Sequence, residues 1–180
     1  MIAAAIFDMD GILIDSEPLW KEADVQAFTK VGLHLKAEQF AVVSGMDVLS
    51  SVKYWYSLFP WKNSSIEEVK ADIENCVLRL ILERGQPMDG VEHVLSFFEK
   101  RNIPIGLASS SSMHIIEAVI AKLGIKDRFK VYHSAQYEVQ GKPNPAVFLT
   151  TAKKMNVPPN QCLVFEDSIN GIKAGCAAGM

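Results

Sequence analysis

The chain has 180 residues, 49 % hydrophobic and 22 % charged, with a net charge of −3, which excludes disorder and allows a sizeable core. A mildly acidic balance with scattered Lys and Arg leaves no electrostatic footprint for nucleic acid or an anionic membrane surface, so a small molecule is the expected partner. Cys76, Cys162 and Cys176 are odd in number and lie in apolar periodic segments, read as buried free thiols in a reducing, cytoplasmic setting. The opening "MIAAAIF" is too short for a signal-peptide core or a membrane span.

In chain order, 2–7 ("IAAAIF") is a short apolar run of the kind buried on both faces of a parallel sheet. Residues 18–86 then break the strand rhythm: helical patterns fall near 18–31, 36–42, 46–57 and 65–84, with Ile66, Val69, Ile73 and Leu80 recurring at spacings of three and four. This stretch holds Trp20, Trp55 and Trp61, expected to pack within the helices and against the sheet rather than to touch a ligand. Further apolar runs lie at 103–108, 129–133 and 161–165, separated by helical patterns at 89–100, 112–123, 145–155 and 168–178. Asp89 with Glu92 suggests a capping box on the first of these helices, and Gly124 a stop after the second. Strands alternating with helices predict an α/β fold, a doubly wound parallel sheet in which 1–16 and 87–180 form the core and 17–86 an inserted all-helical module.

In such a sheet, ligands bind beyond the carboxyl ends of the strands, so strand-end residues can be gathered into one place. Strand one brings Asp8 and Asp10, strand two Ser109 to Ser112, the loop after strand three Lys142, and strand four Glu166 and Asp167. Singly, these are the residues of ordinary turns and caps. Together, four carboxylates at one point repel one another unless some are protonated or a cation sits among them. Oxygen-only donors favour Mg²⁺. The serine loop opening a helix suits a phosphate oxyanion, and Lys142 adds a compact positive charge.

The stretches "FDMDGILIDSE", "LASSS", "GKPNPAVF" and "FEDSINGIKAG" resemble the four signature motifs of the haloacid dehalogenase superfamily, and "DSEPLW" and "GLASSSSMH" are similar to its sugar-phosphate phosphatase branch. The resemblance implies Asp8 as the nucleophile and Asp10 as the general acid/base. It implies Ser109, Ser110 and Lys142 on the phosphoryl oxygens, Mg²⁺ held by Asp8, Asp10 and Asp167, and Glu166 behind them. The helical module at 17–86 resembles the superfamily's inserted α-helical cap domain; Gly11 would let the chain turn sharply, and Asp15 to Pro18 would form a hinge to that cap. The implied activity is hydrolysis of a small phosphorylated sugar or polyol by a cytoplasmic monomer that binds neither nucleic acid nor membrane.

Two features depart from the pattern. The loop "SGMDV" at 44–48 has no Arg or Lys until Lys53, which weakens a phosphomutase, an enzyme that must hold a second phosphate. The superfamily core also continues beyond "AAGM", so the strand at 161–165 is expected at a sheet edge with an apolar helix face behind it at Ile169 and Ile172. A phosphomutase and a non-catalytic phosphate-binding module remain alternatives. A dehalogenase does not fit Asp10, Glu166 and Asp167. His114, near the serine loop, is expected to be solvated, and Glu17 and Trp20 lie where substrate hydroxyls would pass.

Overall fold

The computed structural model describes residues 2–43 and 45–180; Met1 and Ser44, the first residue of the "SGMDV" loop, lie outside them. Four parallel strands, β1 (Ala4–Phe7), β2 (Ile105–Ser109), β3 (Val131–Ser134) and β4 (Cys162–Phe165), pair in the order β3-β2-β1-β4. The connections turn one way from β1 to β3 and the other way to β4, so the topological switch falls between β1 and β4. All four β1 residues are buried, as a run of Ala, Ile and Phe requires in a strand covered on both faces. The register pairs Phe7 with Leu107 on one side and Phe165 on the other. Phe7 and Phe165 stack at 4.5 Å, and Phe98 meets both edge-on at 5.8 Å.

The other layers are helical: α1 (Glu17–Lys30), α2 (Val48–Leu58), α3 (Ile66–Arg84), α4 (Val91–Glu99), α5 (Met113–Lys122), α6 (Ala146–Met155) and α7 (Ile169–Ala177). Among the described residues between β1 and α4, the regular elements are helices, with isolated bridges at Asp10–Ile14 and Ile14–Pro87, and α3 packs against both α1 and α2. The chain leaves and re-enters side by side: Asp15 N donates to Gln86 O at 3.0 Å, and Met88 N to Leu13 O at 3.1 Å. Trp55 and Trp61 are buried in this layer, as expected. Among the described residues, no helix is long and apolar enough to cross a membrane.

Some local expectations change. Residues 37–43 form a 3₁₀ helix. Asp89 does not cap α4: Gly90, at φ 85°, occupies the N-cap position, and Glu92 instead accepts from Ser96 and Arg128. Arg128 outcompetes the orphan amides because its pairing is charge-assisted. Of the three cysteines only Cys162 is buried; Cys176 is exposed on α7 and Cys76 is half-buried. β4 is an edge strand of the described sheet, and Ile169 and Ile172 are 72 % and 51 % exposed, as the apolar pattern of α7 anticipates.

The longest helix carries a complete capping box. Ser65 Oγ accepts from Glu68 N at 3.1 Å, and the Glu68 carboxylate accepts from Ser65 N at 2.7 Å. These hydrogen bonds, from the Ser65 backbone first, hold the Glu68 carboxyl below its usual value of 4.5. The Glu68 share of the stabilisation is therefore present above pH 4.5 and is lost as pH falls through the lowered value. Ser65→Ala is expected to cost about 1 kcal/mol in urea unfolding at pH 7; an unchanged midpoint would show that α3 does not depend on its cap.

Candidate active site

The four strand ends meet. Asp8, the residue after β1, is 6 % exposed, and its N–H donates to Phe165 O at 2.9 Å. Because Phe7 lies opposite Phe165, Asp8 stands beside Glu166, the residue after β4. Lys142, on the loop after β3, enters between them. Its Nζ donates to Asp8 Oδ1 at 2.7 Å, Glu166 Oε2 at 2.6 Å and Ala108 O at 3.3 Å, and lies 4.8 Å from the centre of the Phe148 ring. Burial works against the ammonium, but Asp8 and Glu166 more than offset it and raise its pKa above the usual lysine value.

The start of α7 fixes the Glu166 carboxyl. Its Oε1 accepts from Ser168 N at 3.2 Å and Ser168 Oγ at 2.8 Å. Gly171, on the first turns of α7, gives it room, since a Cβ there would overlap it. Gly11 does the same for Asp167: at φ 72° it makes the turn expected of it, and a Cβ would overlap the Asp167 carboxyl.

Asp10 has a different set of partners from Asp8. Ser16 Oγ and Trp20 Nε1 donate to its Oδ1 at 2.6 and 2.7 Å, and Ser111 Oγ donates to its Oδ2 at 2.8 Å. Sequence reasoning missed Ser16 and Ser111 as its partners and counted Trp20 chiefly as packing. Trp20 packs its ring on the core as expected and also turns its N–H to Asp10. The signal was available for Ser111, one of four consecutive serines, but nothing in the string says which serine points where.

In the serine loop, Ser109 Oγ accepts from Ser111 N at 3.0 Å, Ser110 Oγ donates to Gly45 O at 3.3 Å, and Ser134 Oγ donates to Ser111 O at 2.6 Å. Met113 N at the start of α5 donates to Gln136 Oε1, so fewer amides face the cavity than a bare serine loop suggests. The loop bearing Lys142 is braced at its start, where buried His133 bonds Glu138 through Nε2 at 2.7 Å and Lys154 through Nδ1 at 3.0 Å. The Lys154 ammonium can only donate, so Nδ1 accepts and Nε2 carries the proton. His114 is exposed, as expected.

Asp8, Asp10, the serines 109–111, Lys142, Glu166 and Asp167 line a cavity of about 680 Å³ between the strand ends and the helical layer, within the usual range for a small-molecule site. Carboxylate oxygens of Asp8, Glu166 and Asp167 lie within 4.8 Å of one another. Burial, opposed by Lys142 and reinforced by Glu166 and Asp10, pushes the Asp8 carboxyl up to about 8, and desolvation followed by Glu166 raises Asp167. One ammonium is thus too little positive charge to hold Asp8 as an ordinary carboxylate. A set of hard oxygen donors short of positive charge fits a divalent cation such as Mg²⁺.

Among proteins of known function, the chain is 35 % identical over 180 residues to hexitol phosphatase B of Escherichia coli (strain K12), covering 99 % of this chain and 81 % of that protein. It is 31 % identical to the fructose-1-phosphate phosphatase of the same organism, covering 99 % and 93 %. Among solved structures, β-phosphoglucomutase from Clostridium difficile superposes with a TM-score of 0.89 at 29 % identity, covering 100 % of this chain and 82 % of that one. The model of the haloacid dehalogenase-like hydrolases matches residues 2–179, and the protein belongs to that family.

Proposed function

We propose that this protein is a Mg²⁺-dependent phosphatase that hydrolyses a small phosphorylated sugar or polyol through an aspartyl-phosphate on Asp8. The observation that carries the proposal is the placement of Asp8 and Asp10 in one cavity with opposite surroundings: Asp8 against the Lys142 ammonium, Asp10 among three neutral donors. Asp8 Oδ attacks phosphorus and the bond to the leaving alkoxide breaks, with Asp10 giving the alkoxide its proton. Asp10 then takes a proton from the water that attacks the acyl-phosphate, releasing phosphate and restoring Asp8. Ser109, Ser110 and Lys142 hold the phosphoryl oxygens.

Asp8, the Asp10 carbonyl and Asp167 would hold the cation, with Glu166 fixing Lys142 beside it. When bound, Mg²⁺ supplies the charge that offsets repulsion between Asp8 and a phosphate dianion. Residues 17–86 act as a cap over a core of 1–16 and 87–180, a division supported by the adjacent exit and return at Asp15 and Gln86. The partner is the phosphorylated small molecule, with no nucleic acid or membrane, and the enzyme works as a cytoplasmic monomer.

A phosphomutase would need a second phosphate site. Among the described residues lining the cavity the cations are Lys21 and Lys142. Lys21 pairs with Glu17 at 2.8 Å and Lys142 with Asp8 and Glu166, while Lys53 is not in the lining. Asp47, in the loop "SGMDV", caps α2 by accepting from Ser50 N. A phosphatase accounts for this arrangement better.

Asp8→Asn is expected to abolish turnover of p-nitrophenyl phosphate and of sugar phosphates, because an amide cannot form the acyl-phosphate, with the fold retained by circular dichroism. Turnover near wild type would refute the nucleophile assignment. EDTA should stop p-nitrophenol release, and Mg²⁺ with beryllium fluoride should raise the melting temperature by mass action, about 2.7 kcal/mol at 100 times Kd. The shift should vanish in Asp167→Ala; metal-independent turnover would remove the cation from the proposal. Gly171→Ala tests the support of Lys142: the methyl should displace the Glu166 carboxyl, lower kcat/KM by about 10- to 100-fold and lower the melting temperature, since loosening a buried ion pair costs about 3–5 kcal/mol against at most about 1 kcal/mol gained by Ala as the better helix former.

A further inference from the structure

On α1, Glu17, Trp20, Lys21 and Asp24 recur at i, i+3, i+4 and i+7 and so share one face, and that face lines the cavity. Three of the four are engaged: Glu17 and Lys21 with each other, and Trp20 with Asp10. Asp24 is partly buried, and among the described residues no hydrogen bond or ion pair reaches its carboxylate. Burial is the cause that pushes its carboxyl up to about 7, the mark of a desolvated acid without compensation. A carboxylate left so is costly to the fold unless something else supplies donors.

Its place says what those donors belong to. Trp20 marks the position of Asp10, and Asp24 lies one helical turn further along α1, about 6 Å by the rise of an α-helix. It is therefore displaced from the phosphate end of the cavity by roughly the span of a short carbon chain. The helical layer also lines the cavity with Phe40, Val43 and Val48, and with Ser51. An unpartnered acceptor in a cavity with apolar walls suits a molecule with C–H faces and hydroxyl edges. A second phosphate would meet an acid there instead of a cation.

We propose that Asp24 is a specificity-determining residue that accepts hydrogen bonds from hydroxyls at the end of the substrate remote from its phosphate, so that the cavity selects a neutral polyhydroxylated monophosphate. The assignment rests on the phosphatase function above. It is tested by the ratio of kcat/KM for sorbitol 6-phosphate to that for p-nitrophenyl phosphate, which offers no hydroxyls. In Asp24→Ala the ratio should fall about 10- to 100-fold, as expected for loss of hydrogen bonds to a charged group, mainly through KM for the hexitol phosphate. Asp24→Asn, which keeps one acceptor oxygen, should fall in between. A ratio unchanged in both variants, each folded by circular dichroism, overturns the role of Asp24. A wild-type enzyme that turns over p-nitrophenyl phosphate but no hexitol or hexose phosphate overturns it too and leaves the phosphatase chemistry standing, whereas turnover of neither removes both.

Discussion

The buried Lys142 ammonium, bonded at once to Asp8 and Glu166, is the interaction on which the site depends. Taking an ammonium and its acid partners out of water is expensive, and their attraction offsets the cost only with good geometry and filled hydrogen-bond positions. Each supporting feature serves that geometry. The β1–β4 register sets Asp8 beside Glu166, Gly171 gives Glu166 its place, and Ser168 takes its second oxygen. The Phe148 ring flanks the ammonium, and the His133, Glu138 and Lys154 chain secures the base of the loop that delivers it. The cluster still lacks positive charge, as the raised Asp8 carboxyl records. Perturbed acids gathered in one cleft are the pattern of a functional site, which is what the proposed cation and phosphoryl group would use.

Asp10 is held by a different logic. Two of its donors, Ser16 and Trp20, come from the start of α1, and the third, Ser111, from the loop after β2. The carboxylate is thus tied to the helical layer and to the sheet together. A displacement of α1 relative to the strand ends separates it from two of three partners, so the geometry of the proposed acid/base depends on how the helical layer sits. The same helix face carries Asp24 one turn on from Trp20, so one rigid element both holds Asp10 and lines the cavity.

Much of this was legible in the residue string because strand ends have simple consequences. Short apolar runs mark buried parallel strands, their carboxyl ends share one edge, and the chemistry of Asp8, Asp10, Ser109, Lys142, Glu166 and Asp167 could be pooled before any contact was known. Local hydrogen-bond competition was less legible. Asp89 and Glu92 had the spacing of a capping box, but Arg128, 36 residues from Glu92, took the carboxylate. Cys176 looked apolar by its neighbours and lies on the outward face of α7.

The sequence by itself determined the strand and helix order and the set of reactive groups at the strand ends, because periodicity and strand direction are local properties that a linear string records. Only the tertiary structure decided which of four serines serves Asp10, that Trp20 turns its indole N–H toward it, and that Asp24 in the cavity wall has no hydrogen-bond or ion-pair partner among the described residues. Those outcomes depend on how α1 is set against the sheet. Contacts between segments distant in the chain arise from packing, and no period or spacing in the string encodes them.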